Sequence, residues 1–169
     1  MAKKEKTNAC RILDQKKISY TLHSYYDSGA VSGEEVAAAL GQKPEQVFKT
    51  LVLVGKSKEH YVLVIPSNEN LDLKKAAKAV GEKSLHMLPQ KELEGLTGYI
   101  HGGCSPVGMK KTFPTYFQEE AADYPYIYVS AGRVGLQMEV SLEDLKKVIR
   151  IRLADLVVKG DREASLERE

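Results

Sequence analysis

The sequence predicts a single α/β or α+β domain built on a central mixed sheet able to curl into a barrel. Three observations carry this. At 169 residues the chain is the length of one domain. Runs rich in β-branched and aromatic residues mix with helical runs, without strict βαβ alternation and without an internal repeat. Hydrophobic residues make up 43% of the chain and charged residues 28%, an ordinary globular balance. A chain this long buries roughly 70% of the surface its unfolded form exposes, so it needs no disulfide or metal for stability.

Each element has a local reason. Thr7 can cap a first helix running to about Lys16, with Ile12 and Leu13 facing inward. "ISYTLHSY" alternates loosely and is rich in β-formers, so it reads as a strand. Ser32 and Glu35 form a capping box that opens the helix "GEEVAAAL", which Gly41 stops. Pro44 begins a short helical turn. "VFKTLVLV" and "HYVLVIPS" read as an antiparallel pair joined by the polar loop "GKSKEH". Asn70 is placed to cap "LDLKKAAKAV", and Gly81 ends it. "SLHML" is a short strand, and Pro89 sits in the first turn of "PQKELEGL". After a glycine-rich stretch come "TYF", then "YIYVSAG" and "LQMEVS" around the tight turn "AGRVG". "SLEDLKKVI" reads as a helix with Ser141 and Asp144 in capping-box positions. "IRLADLV" closes the fold as a strand or a short contact. The domain is taken as residues 1–158, and the charged, patternless residues 159–169 as a disordered tail.

Composition narrows function. The net charge of +2 argues against a strongly electrostatic nucleic-acid binder but leaves room for a local basic face. Cysteine occurs only at positions 10 and 104, with no CxxC and no Cys/His cluster, so neither a metal nor a cofactor is expected. No apolar run reaches the length of a membrane span, and "MAKKEKTNAC" lacks a signal-type apolar core; the expected location is the cytoplasm.

Two places can carry chemistry. Lys49 interrupts an apolar strand, on the face shared by Val47, Leu51 and Leu53. Pattern alone favours a lysine reaching solvent from the strand end over one lining a pocket. The second place is "IHGGCSPVGMKK", Ile100–Lys111. Gly102 and Gly103 let backbone amides approach a ligand, where they can cradle a phosphate or a carbonyl oxygen. Pro106 stiffens the loop, and Ser105 offers a hydroxyl. The commoner use of such residues is a structural turn. No P-loop, GxGxxG or GxSxG motif is present. Cys104 reads as a buried thiol before it reads as a nucleophile, and a His101–Cys104 dyad has little support. His23, His60 and His86 are scattered. Tyr20, Tyr25 and Tyr26 read as packing residues. Lys74, Lys75 and Lys78, with Lys110 and Lys111, form either a solvated face or a polyanion site.

At "VFKTLVL", "LDLKKAAKAVG", "TGYIHGGCSPVGMKK" and "YIYVSAGRVGLQMEVSLEDL" the chain resembles the YbaK family, Cys-tRNA(Pro) deacylases related to the editing domain of bacterial prolyl-tRNA synthetase. The resemblance runs from about Thr7 to Val158. It implies a mixed, mostly antiparallel barrel-like sheet flanked by helices, and a trans-editing hydrolase that cleaves the ester of a mischarged tRNA. Carried over, Lys49 matches the family's essential lysine, and Gly102 and Gly103 the glycines lining the aminoacyl pocket. Thr50, Ser105 and Pro106 belong to the same motifs. Tyr25 matches a tyrosine near the pocket mouth, and Ser130 and Gly132 the second pocket loop. Ser32 stands where some relatives carry an aromatic side chain.

In that family the substrate's own thiol is thought to attack its ester carbonyl, which implies no enzyme nucleophile. Backbone amides at Gly102 and Gly103 would steady the oxyanion, and Lys49 a phosphate or the ribose oxygens. A small apolar pocket separates cysteine from alanine or serine by only about 1–3 kcal/mol, so a thiol-dependent step would sharpen selection. The implied partners are the acceptor end of tRNA(Pro), held by Lys74, Lys75, Lys78, Lys110 and Lys111, and prolyl-tRNA synthetase. Three alternatives stand beside this: a deacylase for Ala-tRNA(Pro) or another small residue, a non-catalytic tRNA- or synthetase-binding module, and a Ser105 or Cys104 esterase.

Overall fold

The computed structural model describes residues 6–25, 28–30 and 33–159, the side chains of residues 33 and 34 excepted. The expectations for Tyr26, the Ser32 cap and residues 160–169 lie outside the described residues.

Helix α1, Asn8–Gln15, starts where expected, because the Thr7 hydroxyl accepts the Cys10 amide at 3.1 Å. It ends in a left-handed residue, Lys17, after which the Ile18 amide donates back to the Leu13 carbonyl at 2.9 Å. Ile18 therefore belongs to the helix stop. The first strand is shorter than its β-rich stretch: β1 is Thr21–Ser24.

The described strands form two sheets. The smaller has the order β1-β7-β6, with β6 at Ile127–Arg133 and β7 at Leu136–Val140, all antiparallel. The larger has the order β4-β2-β3-β5-β8. In it β2 (Phe48–Gly55) and β3 (His60–Pro66) form the antiparallel pair read from sequence, in register from Phe48–Pro66 to Val54–His60. Strand β4 is Leu85–Met87. Strands β5 (Thr115–Gln118) and β8 (Ile151–Ala154) run parallel to their neighbours. The sheets do not close into a barrel. They pack on a shared core and, among the described residues, are joined by one isolated parallel bridge, Val47–Tyr128.

A parallel pair needs a long crossover. Between β3 and β5 this is α3 (Leu73–Val80), β4, α4 (Gln90–Thr97) and the glycine-rich loop. That crossover sets the loop beside both sheets. Helix α2, Gly33–Leu40, packs Val36 and Ala37 on Tyr25, Val47 and Tyr128, over the junction of the sheets. The main core lies between α1 and both sheets and includes Leu13, Phe117 and Met138, all fully buried. A smaller core lies under α3.

Four local expectations need correction. Asp72, not Asn70, caps α3: its carboxylate accepts the Lys74 and Lys75 amides at 3.1 Å. Asn70 instead accepts the Val158 amide through its backbone carbonyl, next to the Leu71–Val157 bridge. Pro89 is the N-cap residue of α4 rather than part of its first turn. Helix α5 is only Leu142–Leu145. Ser141 accepts the Asp144 amide, but the Asp144 carboxylate turns to Lys147 at 2.9 Å, so half of the capping box is absent. Lys159, placed in the tail by its sequence, pairs with Glu120 at 2.9 Å. Among the described residues no helix is long and apolar enough to cross a membrane.

Candidate active site

A cleft of about 430 Å³ opens where the two sheets meet. The larger sheet contributes Lys49 and Thr50 from β2; the smaller contributes Ser130 and Gln137. The glycine-rich loop adds His101, Gly102 and Cys104, and Tyr25 stands at the end of β1. Lys49 therefore shares a cleft with the glycine-rich loop, against the solvated-lysine reading that the pattern alone favoured. It is half-buried and paired across the ladder with Ile65.

The two glycines do different things. Gly102 has φ +88, a left-handed conformation that suits glycine, and it lines the cleft. Gly103 does not line it. A Cβ there would fall 2.7 Å from the Val134 nitrogen and 2.9 Å from the Arg133 carbonyl carbon, so Gly103 is the point where the loop lies flat on the β6–β7 turn. Its amide donates to the Ile100 carbonyl at 3.0 Å, closing a tight turn. The expectation that both amides face substrate thus fails for Gly103. The Gly102 and Cys104 amides have no acceptor among the described residues.

The hydroxyls also divide. Ser130 Oγ accepts the Gly132 amide at 3.1 Å, which leaves its own proton to donate elsewhere in the cleft. That bond is the part Gly132 plays; it is not a wall of the cleft. Ser105 is fully buried, and its Oγ accepts the Val107 amide at 3.2 Å. Pro106 lines a different groove, with Lys111. Cys104 is 6% exposed, and burial pushes its thiol up to about 12, so it is protonated at neutral pH. Neither Ser105 nor Cys104 is placed as a nucleophile, and His101 makes no dyad with Cys104. Among the described residues no cluster could hold a metal ion.

Two buried oxygens on side chains lining the cleft, Thr50 Oγ1 and Gln137 Oε1, have no hydrogen-bond partner among the described residues. Leaving such a group unpaired costs about 1–3 kcal/mol, which marks these two as unsatisfied polar groups beside the cleft. Gln137 escaped the sequence reading. It sits on the outward phase of "LQMEV", and only its pairing opposite Ser130 shows where it faces.

The lysines of the expected basic patch differ in their surroundings. Lys75 is tied inward, 2.8 Å from Asp155 and 3.0 Å from the Val157 carbonyl. Lys74, Lys78, Lys110 and Lys111 are exposed, and Lys110 reaches the Gly95 carbonyl at 3.4 Å.

Residues 27–148 match the family model of the aminoacyl-tRNA editing domain. The chain is 47% identical over 163 residues to EbsC of Enterococcus faecalis, described as a candidate Cys-tRNA(Pro)/Cys-tRNA(Cys) deacylase; the match covers 94% of this chain and 99% of that protein. Among solved structures, a candidate trans-editing enzyme for prolyl-tRNA synthetase is similar at a TM-score of 0.78 and 25% identity, over 90% of this chain and 96% of that one. A hypothetical protein shares the fold at a TM-score of 0.81 and 21% identity, over 90% of this chain and 100% of that one.

Proposed function

The chain belongs to the aminoacyl-tRNA editing domain family, and from that premise we propose that it is a trans-acting deacylase that clears cysteine from mischarged Cys-tRNA(Pro). The observation that carries this reading is the cleft itself: Lys49, the Gly102 backbone, the Ser130 hydroxyl and two unpartnered oxygens around one small space. An aminoacyl ester complements those groups. Its α-ammonium brings three donors for Thr50 Oγ1 and Gln137 Oε1. Its carbonyl oxygen can take the Ser130 proton and the Gly102 amide, which then stabilise the oxyanion. Lys49 neutralises a phosphate or holds the ribose oxygens of the terminal adenosine. Tyr25 borders the mouth.

A buried serine and a protonated thiol leave the enzyme without a nucleophile, and the substrate's own sulfur fills that place. Its thiol sulfur bonds to the ester carbonyl carbon, the carbon–oxygen ester bond breaks, and the thiol proton passes to the departing ribose hydroxyl. The cyclic thioester so formed opens with water. The reaction requires the cytoplasmic pool of aminoacyl-tRNA, and prolyl-tRNA synthetase is the natural source of the mischarged substrate. Residues 1–158 serve as the deacylase domain.

A panel of Cys-, Ala- and Ser-tRNA(Pro) and Cys-tRNA(Cys), with and without prolyl-tRNA synthetase, tests the proposal. Cys-tRNA(Pro) should be cleaved fastest, and Lys49→Ala should remove the activity. Preferential cleavage of Ala-tRNA(Pro), or full activity in the Lys49 variant, would defeat it.

A further inference from the structure

Past the buried Ser105, the glycine-rich loop emerges on a second groove of about 640 Å³, lined by Pro106 and Gly108 and separate from the cleft. Three cations stand in its walls, Lys111, Arg150 and Arg152, and no carboxylate does. All three are exposed, and among the described residues none is ion-paired. Lys75, Lys146, Lys147 and Lys159 each have a carboxylate instead. Arg150 and Arg152 are two apart where the chain enters β8, so their side chains leave the same face. The floor between the cations is apolar, from Met109, Phe113 and Ile149.

We propose that this groove binds the phosphodiester backbone of RNA, as a second contact made by the same tRNA whose aminoacyl end enters the cleft. A concave wall of one charge sign over a low-dielectric floor concentrates its field on an anion. Two guanidinium forks match phosphate oxygens better than isolated ammonium groups do. An apolar floor between them suits the sugar and base faces of a nucleic acid. Pro106, in the groove, is four chain steps from Gly102, in the cleft; fully extended they span at most about 14 Å. One RNA can therefore engage both ends of the loop. Both arginines lie beyond residues 27–148, the part matched by the family model. That the RNA is a tRNA rests on the deacylase reading; that the groove takes phosphodiesters does not.

The test measures binding of the full chain to uncharged tRNA(Pro) by fluorescence anisotropy across a salt series. The Arg150→Glu/Arg152→Glu pair should weaken binding by about tenfold or more at low salt, and the slope of log affinity against log salt should shrink by about 1.4–1.8. Arg150→Gln/Arg152→Gln should show most of that loss, and Arg150→Lys/Arg152→Lys should retain most of the slope. Each pair is to keep the parent urea midpoint and the parent single-turnover deacylation rate at saturating protein. Unchanged affinity and slope in the glutamate pair would overturn the proposal. So would unchanged tRNA binding with lost binding of polyglutamate, which would assign the groove to an acidic protein segment. Because the tRNA is uncharged, a chain that bound it through the groove yet cleaved no ester would defeat the deacylase reading and leave this one standing.

Discussion

A single methyl group added at Gly103 should cost this protein more activity than stability. Its Cβ would lie 2.7 Å from the Val134 nitrogen and 2.9 Å from the Arg133 carbonyl carbon, where ordinary contact begins at 3.4 Å. Loop and turn must therefore part by about 0.7 Å (3.4 − 2.7), and both obstacles are backbone. The φ of Gly103 is not left-handed, so the penalty is crowding alone, about 1–3 kcal/mol for an overpacked site. Catalytic groups tolerate displacements of about 0.5 Å, and about 1 Å costs on the order of a hundredfold. Gly102 and Cys104 flank the substituted residue, and the opposing turn leads back to Ser130. Gly103→Ala should thus lower kcat/KM for Cys-tRNA(Pro) by about 10- to 100-fold, with a modest fall in the urea midpoint. Gly95→Ala is the control. It has no atom within 4 Å and lies inside α4, so it should keep full activity and gain about 0.5–1 kcal/mol. A Gly103 variant with parent kcat/KM, or one whose loss matched its unfolded fraction, would refute the idea that this contact fixes the cleft.

Two further perturbations follow. The Cys104 thiol, raised by burial to about 12, stays protonated in the folded protein while the unfolded chain ionises near 9.0. Its stabilising contribution is full below pH 9 and is lost as pH rises toward 12. Native Cys104 should resist iodoacetamide at pH 8, and Cys104→Ala should deacylate within a few-fold of the parent; rapid alkylation with loss of activity would reverse its assignment as a packing residue. Gln118, 1% exposed, accepts the Leu156 amide at 2.6 Å and donates to Glu120 at 2.6 Å and Asp155 at 3.1 Å. Gln118→Leu orphans that amide and should cost about 1–3 kcal/mol in urea unfolding, with the folded fraction fully active; an unmoved midpoint would contradict the role given to it.

What could be read from the sequence was local. Thr7 and Ser141 cap their helices because the hydroxyl and the amide it accepts are three residues apart. The β2–β3 pair is set by two apolar runs and one polar loop. What could not be read depended on residues far along the chain. Asn70 and Asp72 are equally good caps on paper, and the Leu71–Val157 bridge decides between them. Lys75 looks like its neighbours Lys74 and Lys78 until Asp155, eighty positions on, claims it. Lys49 and Gly102, which the motifs single out, both line the cleft. The motifs could not separate Gly102 from Gly103, because that distinction rests on where the β6–β7 turn lies. Gln137 carried no signal, since a glutamine on the polar phase of a strand usually meets water.

The single Val47–Tyr128 bridge gives the cleft a property that neither sheet has. Lys49 and Thr50 are fixed in one slab, Ser130 and Gln137 in another, and the slabs share a packed core but, among the described residues, only that one backbone bridge. The angle between the slabs is therefore set by side-chain packing rather than by a continuous ladder. The bare backbone of Gly103, wedged on its turn, is the chock that holds the angle.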